Sequence, residues 1–401
     1  MSLRFDFEVM QAIDHWVGMP ICFLIGIWEL FKKALFFWRK PSRSEEPKTI
    51  LILKWFGLGS IVLMRDLVNS IHKRYPRAKV VFATFKTHRE LIHSLFPVDK
   101  ILAIDNKTPF SFLRDTFKVL WALSFEKIDY ALDLEFYSKF STLVTYLSGA
   151  PVRVGFYSVS FWRKQIITHP VYFNYFRHIT GIYKMAGRVI DVSVDEPSSS
   201  HMEVSREHLE AAKDKLKKHG WNGRDKLIGV NPNAGELAYC RRWPKDYFIE
   251  LINNLSTFEG FTVLLVGSGS EKEYTSSIYA ALDKNSRAKV INTAGLLNIT
   301  EFIALLSSLF LFITNDSGPL HLAVLQGTPT ISIWGPQTPL LYGAKDKKRH
   351  REFYSNMDCS PCMTIYRTKA GFFCNGQANC LKGILPVEVL EYAVSLIKDK
   401  S

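Results

Sequence analysis

The sequence predicts an α/β protein made of two doubly wound, parallel-sheet domains. Apolar runs of strand length alternate with amphipathic helical stretches from residue 49 to 156, and the same alternation resumes at 226. Between them lies a polar Pro/Ser stretch, DVSVDEPSSS (191–200), which reads as a linker. The chain of 401 residues is long enough for each domain to bury its own core. The expected divisions are an apolar N-terminal segment (1–47), a first domain (48–197), a second domain (198–385) and a terminal helix (386–401).

In the N-terminal segment, residues 16–28 (WVGMPICFLIGIW) are apolar and uncharged, shorter than the roughly 20 residues a spanning helix needs. Pro20 and Gly26 interrupt the run, and Trp16 and Trp28 flank it. Lys32, Lys33, Arg39, Lys40 and Arg43 follow, with no acid between them until Glu45. This pattern predicts an in-plane or re-entrant membrane anchor held by aromatics and anionic headgroups. A hydrophobic helix docked on the first domain is the alternative. A signal peptide fits poorly, because there is no basic leader and no small-residue cleavage site.

In the first domain, strands are expected at 49–54, 79–84, 100–104, 129–134 and 152–156, with helices near 87–95, 110–125 and 138–147. Ile61, Met64, Val68, Ile71 and Tyr75 share one helical face after the first strand. Residues 157–186 are dense in aromatics and bases. They read equally as an acceptor- or lipid-facing surface, with Arg163, Lys164, Arg177 and His178 meeting anionic groups, or as core.

The second domain repeats the pattern, with strands at 226–231, 261–266, 289–291, 309–314 and 330–334 and a helix near 300–307. Its most informative part is the turn Asn315-Asp316-Ser317-Gly318 before a short helix opened by Pro319 and stopped by Gly327. Asp316 and Ser317 are both good caps, and Pro belongs in a first turn. Backbone N–H groups of such a turn aim past the strand ends, which makes an anion site. His321 lies one turn further in, on the same face as Ser317.

Asp316-Ser317-Gly318-Pro319 with His321, then Gly327-Thr328-Pro329 and Trp334-Gly335-Pro336, resembles the donor-site signature of the ADP-heptose lipopolysaccharide heptosyltransferases, glycosyltransferase family 9. The resemblance implies a GT-B fold, two Rossmann-like domains facing a cleft, with the terminal helix packing back toward the first. It implies an inverting transfer, without metal or other cofactor, of a sugar such as heptose from a nucleotide diphosphate donor (ADP-heptose or similar) to a lipopolysaccharide or related glycolipid. The expected partners are that donor, the acceptor and the inner membrane surface, with the enzyme at the cytoplasmic face of a bacterial inner membrane as a peripheral or monotopic protein. The charge of +13 suits such acidic partners. No nucleic-acid-binding motif is present in the sequence. By the same resemblance Arg241 or Arg242, before Trp243-Pro244, would contact the phosphates, and Glu271 would hold the ribose hydroxyls. Glu271 also suits a plain first-turn acid.

One position departs from the family. After Gly57-Leu58-Gly59 the family carries an acidic residue expected to be the catalytic base; here it is Ser60, which cannot accept a proton unaided. Asp133 and Glu135, at the end of a parallel strand, become the candidate bases, with His178 behind them. Val62 stands where a dinucleotide fingerprint would need its third Gly, which argues against an oxidoreductase. A catalytically silent nucleotide-sugar-binding subunit, or a transferase for another nucleotide sugar, are the alternative functions. Cys359, Cys362, Cys374 and Cys380 form either a structural stretch or a zinc site, although the second pair is spaced too widely for the usual ligand pattern. The six cysteines are not spread like a secreted disulfide framework, so a reducing compartment is expected.

Overall fold

A computed structural model describes residues 7–35, 45–136, 138–194, 202–235, 239–363 and 374–399. Arg39, Lys40 and Arg43, and positions 195–200 of the expected linker, lie outside the described residues. The chain divides into two compact units, Met1–Ser198 and Ser199–Ser401, one residue from the boundary expected in the Pro/Ser stretch.

The first unit holds six parallel strands: β1 (Thr49–Leu53), β2 (Lys79–Phe85), β3 (Lys100–Ile104), β4 (Tyr130–Asp133), β5 (Val152–Phe156) and β6 (His169–Val171), in the order β3-β2-β1-β4-β5-β6. The inner strands are buried on both faces, and this is why they read in sequence as unbroken apolar runs. Leu53 of β1 aligns with Asp133 of β4, so the chain leaves the sheet on diverging paths at this pair. That divergence is the switch point where α/β sheets place ligands. The helix after β1 forms in two parts, Leu58–Val62 and Arg65–Arg74, and Ile61, Met64, Val68, Ile71 and Tyr75 are all buried. The short β6 was not foreseen, because His169 and Pro170 disguise it as loop.

The N-terminal segment is helical over Phe7–Trp16 and Gly18–Leu35. Together, Val9–Leu35 is long and apolar enough to cross a membrane by length and composition. It is nonetheless tied to the first unit by polar side chains. Asp14 accepts from the backbone N–H of Phe140 (2.7 Å) and of Lys139 (3.2 Å), supplying the start of helix Lys139–Leu147. Glu29 pairs with Lys32 and Arg153 and accepts from the Tyr146 hydroxyl at 2.9 Å. Cys22 and Gly26 turn inward, with Gly26 against Phe161 and Trp162 of helix Phe161–Ile166. The opposite face exposes Phe23, Leu24, Ile27, Trp28 and Phe31. Both expectations for this segment therefore hold a part: it docks, and it keeps an outward apolar face.

The second unit repeats the topology with β7 (Lys226–Asn231), β8 (Phe261–Leu265), β9 (Val290–Asn292), β10 (Leu311–Asn315), β11 (Thr330–Trp334) and β12 (His350–Tyr354), all parallel, ordered β12-β11-β10-β7-β8-β9. Its switch point lies between β7 and β10, which align from Ile228 with Leu311 to Asn231 with Thr314. The terminal helix Pro386–Asp399 buries Val389, Ala393 and Ile397 in the second unit's core, against helix Lys245–Leu255.

Candidate functional site

At the second unit's switch point, three asparagines stitch the strand ends together. Asn315 accepts from the backbone N–H of Trp243 (3.0 Å) and donates to the carbonyls of Pro232 (2.9 Å) and Asn233 (3.3 Å). Asn231 donates to the hydroxyls of Thr314 (3.0 Å) and Ser317 (3.1 Å). Asn233 donates to the Val266 carbonyl and to Thr275, while its own Oδ1 is buried without a partner among the described residues. Asn315 was read from sequence as the start of the turn; Asn231 and Asn233 were not singled out. The available signal was an amide at the last position of a strand, twice, where an apolar residue would otherwise continue the run.

The turn after β10 differs from expectation in how it is capped. Helix Gly318–Leu325 starts one residue earlier than expected, with Pro319 second, and no side chain caps it. The Ser317 hydroxyl is engaged with Asn231 and Thr314, and Asp316 pairs with Arg241 at 3.1 Å. The helix N-terminus thus keeps its backbone donors and dipole uncovered by either expected cap. Burial raises the Asp316 pKa above the ordinary carboxylate range, and the Arg241 guanidinium works against that shift. Arg241 also donates to the Ala234 carbonyl at 3.0 Å, and its buried Nε has no partner among the described residues. At the helix end, Gly327 takes φ +69, the left-handed geometry expected of its stop signal.

Arg242 points elsewhere: its guanidinium stacks over Tyr274 at 4.1 Å and Tyr239 at 4.5 Å, again with a partnerless buried Nε. Of the two arginines, Arg241 is the one that reaches the turn. His321 is buried within helix Gly318–Leu325. Glu271 forms a reciprocal cap, accepting from the N–H (2.9 Å) and hydroxyl (2.7 Å) of Ser268 through a single oxygen. The first-turn role considered for it is therefore present.

The first unit's switch point is filled by ion pairs. Glu135 accepts four hydrogen bonds: from Lys54 Nζ (2.9 Å) and the Phe136 N–H (2.8 Å) on one oxygen, and from the Trp55 (2.8 Å) and Phe56 (2.9 Å) N–H groups on the other. Asp133 accepts from Ser141 (2.6 Å), Thr142 (3.2 Å) and Arg163 (3.2 Å). Asp133 is 0 % and Glu135 3 % exposed. As bases both are poorly placed: a carboxylate has about four acceptor sites, Glu135 fills four, and Asp133 is buried away from any surface at which an acceptor hydroxyl would meet it. Arg163, in the stretch that read equally as surface or core, is the buried partner of Asp133. Burial pushes Asp133 up against the pull of Arg163, and pushes Lys54 down against the pull of Glu135. His178 caps helix Ile179–Val189, its Nδ1 accepting from Thr180. Ser60 donates to the Gly57 carbonyl at 2.7 Å, within a turn held open by Gly57 at φ +83. His88, which sequence did not single out, lies at the end of β2, and burial brings its pKa down to about 4.

The cysteines Cys240, Cys359, Cys362, Cys374 and Cys380 line one cavity of about 120 Å³, and Cys359, Cys362, Cys374 and Cys380 are free thiols. Burial, with the neighbouring thiols adding to it, raises Cys380 to about 11. Among the described residues no three His, Cys, Asp or Glu side chains form a metal-holding group.

Against known proteins, residues 117–370 match the family described as glycosyltransferase family 9 (heptosyltransferase). Lipooligosaccharide heptosyltransferase 2 of Campylobacter jejuni is 31% identical over 179 residues, covering 44% of this chain and 53% of that protein, so the chain spans about half the length of this relative. The structure of E. coli ADP-heptose lps heptosyltransferase II superimposes with a TM-score of 0.68 at 22% identity, covering 88% of this chain and 100% of that one. The iron-containing dodecameric glycosyltransferase TibC from enterotoxigenic E. coli H10407 gives 0.54 at 12% identity, over 90% and 78%. The two structures establish the shared fold.

Proposed function

The chain belongs to glycosyltransferase family 9, and from this premise we propose that it moves a heptose from ADP-heptose, or a closely similar nucleotide-activated sugar, to a lipopolysaccharide or related glycolipid acceptor, inverting the anomeric centre without a metal. The observation that carries the proposal is the turn Asn315–Gly318. An uncapped helix N-terminus, the Arg241 guanidinium and rigid asparagines converge there, which is what a departing nucleotide diphosphate needs. In the transfer, the acceptor hydroxyl oxygen bonds to the anomeric carbon and its proton is released to solvent, while the bond to the diphosphate oxygen breaks and the leaving charge falls on oxygens facing Arg241 and the Gly318 end of the helix. Arg241 supplies a forked, permanently charged donor. His321, one turn into the same helix, and Arg242 and Glu271 complete the donor side. In the first unit, Asp133 and Glu135 hold the loop 54–60 in place rather than take the proton.

The outward apolar face of helix Gly18–Leu35 supports attachment to a membrane in the plane of its surface, since Asp14 and Glu29 keep the helix on the first unit. The cytoplasmic face of a bacterial inner membrane suits a soluble nucleotide-sugar donor and free thiols.

The full chain, incubated with ADP-heptose and a heptose-deficient lipopolysaccharide core, should release ADP at a rate unchanged by chelators, and ADP should raise its melting temperature. ADP that leaves melting unmoved, with no turnover of any nucleotide sugar, overturns the proposal. Donor binding without turnover selects the silent-subunit alternative that Ser60 motivates.

A further inference from the structure

Helix Pro109–Ser124 of the first unit carries an apolar stripe on the wrong side for a soluble protein. Its inward face buries Asp115, Val119 and Leu123. Phe110, Leu113, Phe117 and Trp121 fall at helical spacing on the opposite face, continued by Phe125 just past the helix end. Their exposures are 75, 56, 64, 70 and 68 %. Scattered exposed apolar residues need no explanation, but five large ones in a single line along one helix do.

Two further observations identify what covers them. The first is charge. The exposed charged residues from 107 to 127 are all basic: Lys107, Arg114, Lys118 and Lys127. The two acids of this stretch turn inward and are paired. Asp115 meets Arg114 (2.8 Å) and Lys86 (3.7 Å), and Glu126 meets Lys79 and Lys100 (2.6 Å each). An aromatic line with a basic rim fits anionic headgroups over acyl chains. The second is position. Phe112, on the inward side, packs on Phe140 of helix Lys139–Leu147 at 5.0 Å, and Asp14 of the N-terminal segment bonds the first turn of that same helix. Met10 and Phe112 pack against one common core cluster. The stripe therefore lies on the sheet face that also carries the N-terminal helices.

From this we infer that the outward face of helix Pro109–Ser124 is a second membrane-contact element, seated in the headgroup region of an anionic bilayer beside the N-terminal helix. Two elements fix the first unit's orientation to the lipid surface, where one would leave it free to rotate about the helix axis. The inference rests on the membrane proposal above, and the experiment separates the two. Full-length protein and its Phe117→Asp/Trp121→Asp variant are floated with phosphatidylcholine vesicles with and without 30% phosphatidylglycerol, a composition chosen to approximate an anionic bilayer. The wild type should bind the anionic vesicles, less so in high salt. The variant should bind at least about tenfold more weakly with unchanged melting, because the replaced side chains make no core contact that its folding needs. In the second measurement, Trp121→Phe should remove a large share of the fluorescence quenching produced by brominated lipid. A wild type that does not bind vesicles sinks the membrane proposal and this inference with it. Equal binding of wild type and double variant overturns the inference alone, as does quenching unaffected by Trp121→Phe. A variant that changes from dimer to monomer with vesicle binding intact would assign the stripe to a second copy of the chain and overturn the inference too.

Discussion

Replacing Glu135 with Gln keeps the side chain's shape and removes the charge opposite Lys54. In the folded first unit Lys54 is 0 % and Glu135 4 % exposed at the side chain, so water does not replace the lost charge, and the Phe136 ring 3.9 Å below the ammonium compensates only in part. The substitution also mismatches hydrogen bonds. Four donors converge on the two carboxylate oxygens, and an amide presents one oxygen and one donor group, so two of the four would face an N–H. Breaking a buried pair from one side costs about 3–5 kcal/mol, most of it the uncompensated charge. For a unit of this size each kcal/mol lowers the midpoint by about 2–4 °C, so the first unit's melting should fall by about 6–20 °C. Calorimetry on the full chain should show one transition moving down and the other unmoved. ADP release, measured well below the lowered midpoint, should persist, because a carboxylate that already accepts four hydrogen bonds has no acceptor site left for the hydroxyl proton. A variant that melts within about 1 °C of wild type yet releases no ADP would make Glu135 the base and refute the saturation argument.

Arg241→Met should abolish the thermal shift given by ADP. It also removes the group holding the Asp316 pKa down, so the folded-state value, already above the ordinary 3.8, moves further up. Stability from a carboxyl raised in this way is full below its unfolded value and lost as pH rises through the folded one, so the variant should lose stability relative to wild type on going from acid to neutral pH. His88 runs the other way. Its ordinary value of 6.5 falls to about 4 on folding, so the stability it contributes is present above pH 6.5 and lost as pH drops toward 4. His88→Asn should flatten the acid limb of the first unit's melting profile. Gly57→Ala should cost about 1–2 kcal/mol, seen as a lower melting temperature, since an alanine at φ +83 is strained and its Cβ would sit 2.7 Å from Ser60 Oγ.

The strands that positioned both sites were legible because parallel strands covered on two faces are written as short apolar runs, and the helix faces because the 3.6-residue period survives in Ile61, Met64, Val68 and Ile71. The turn Asn315–Gly318 was legible for another reason: its residue types have few uses besides turning a chain. What escaped was pairing across sequence. Nothing near Asp133 announces Arg163, 30 positions away, and nothing near Lys54 announces Glu135, 81 positions away. Without these partners, two acids at a strand end look like catalysts. Asp14 and Glu29 escaped similarly. As lone acids beside an apolar run they say nothing, until one proves to bond a helix start and the other an arginine of the sheet.

The two sheets have the same strand order, and the same crevice at their switch points is used in opposite ways. In the first unit the crevice is closed by charge: Lys54, Glu135, Asp133 and Arg163 satisfy one another, and Trp55 adds its indole N–H to Ser141 at 3.0 Å. A network so fully bonded resists rearrangement, because each partner lost leaves a buried charge behind. In the second unit the crevice is lined by neutral amides, which cost less to hold in place, with one ion pair and buried polar atoms on Asn233, Arg241 and Arg242 that have no partner among the described residues. Buried polar atoms without partners are rare in a folded protein, and three of them in the segment after β7, of which the Arg241 side chain reaches the turn, need a reason. A ligand rich in oxygens supplies one for the two guanidinium nitrogens, which are donors. The carbonyl oxygen of Asn233 is an acceptor and asks for a donor instead, such as a sugar or ribose hydroxyl. That division between donors for phosphate and an acceptor for hydroxyl is the pattern a nucleotide-activated sugar would satisfy, and a bare phosphate would not.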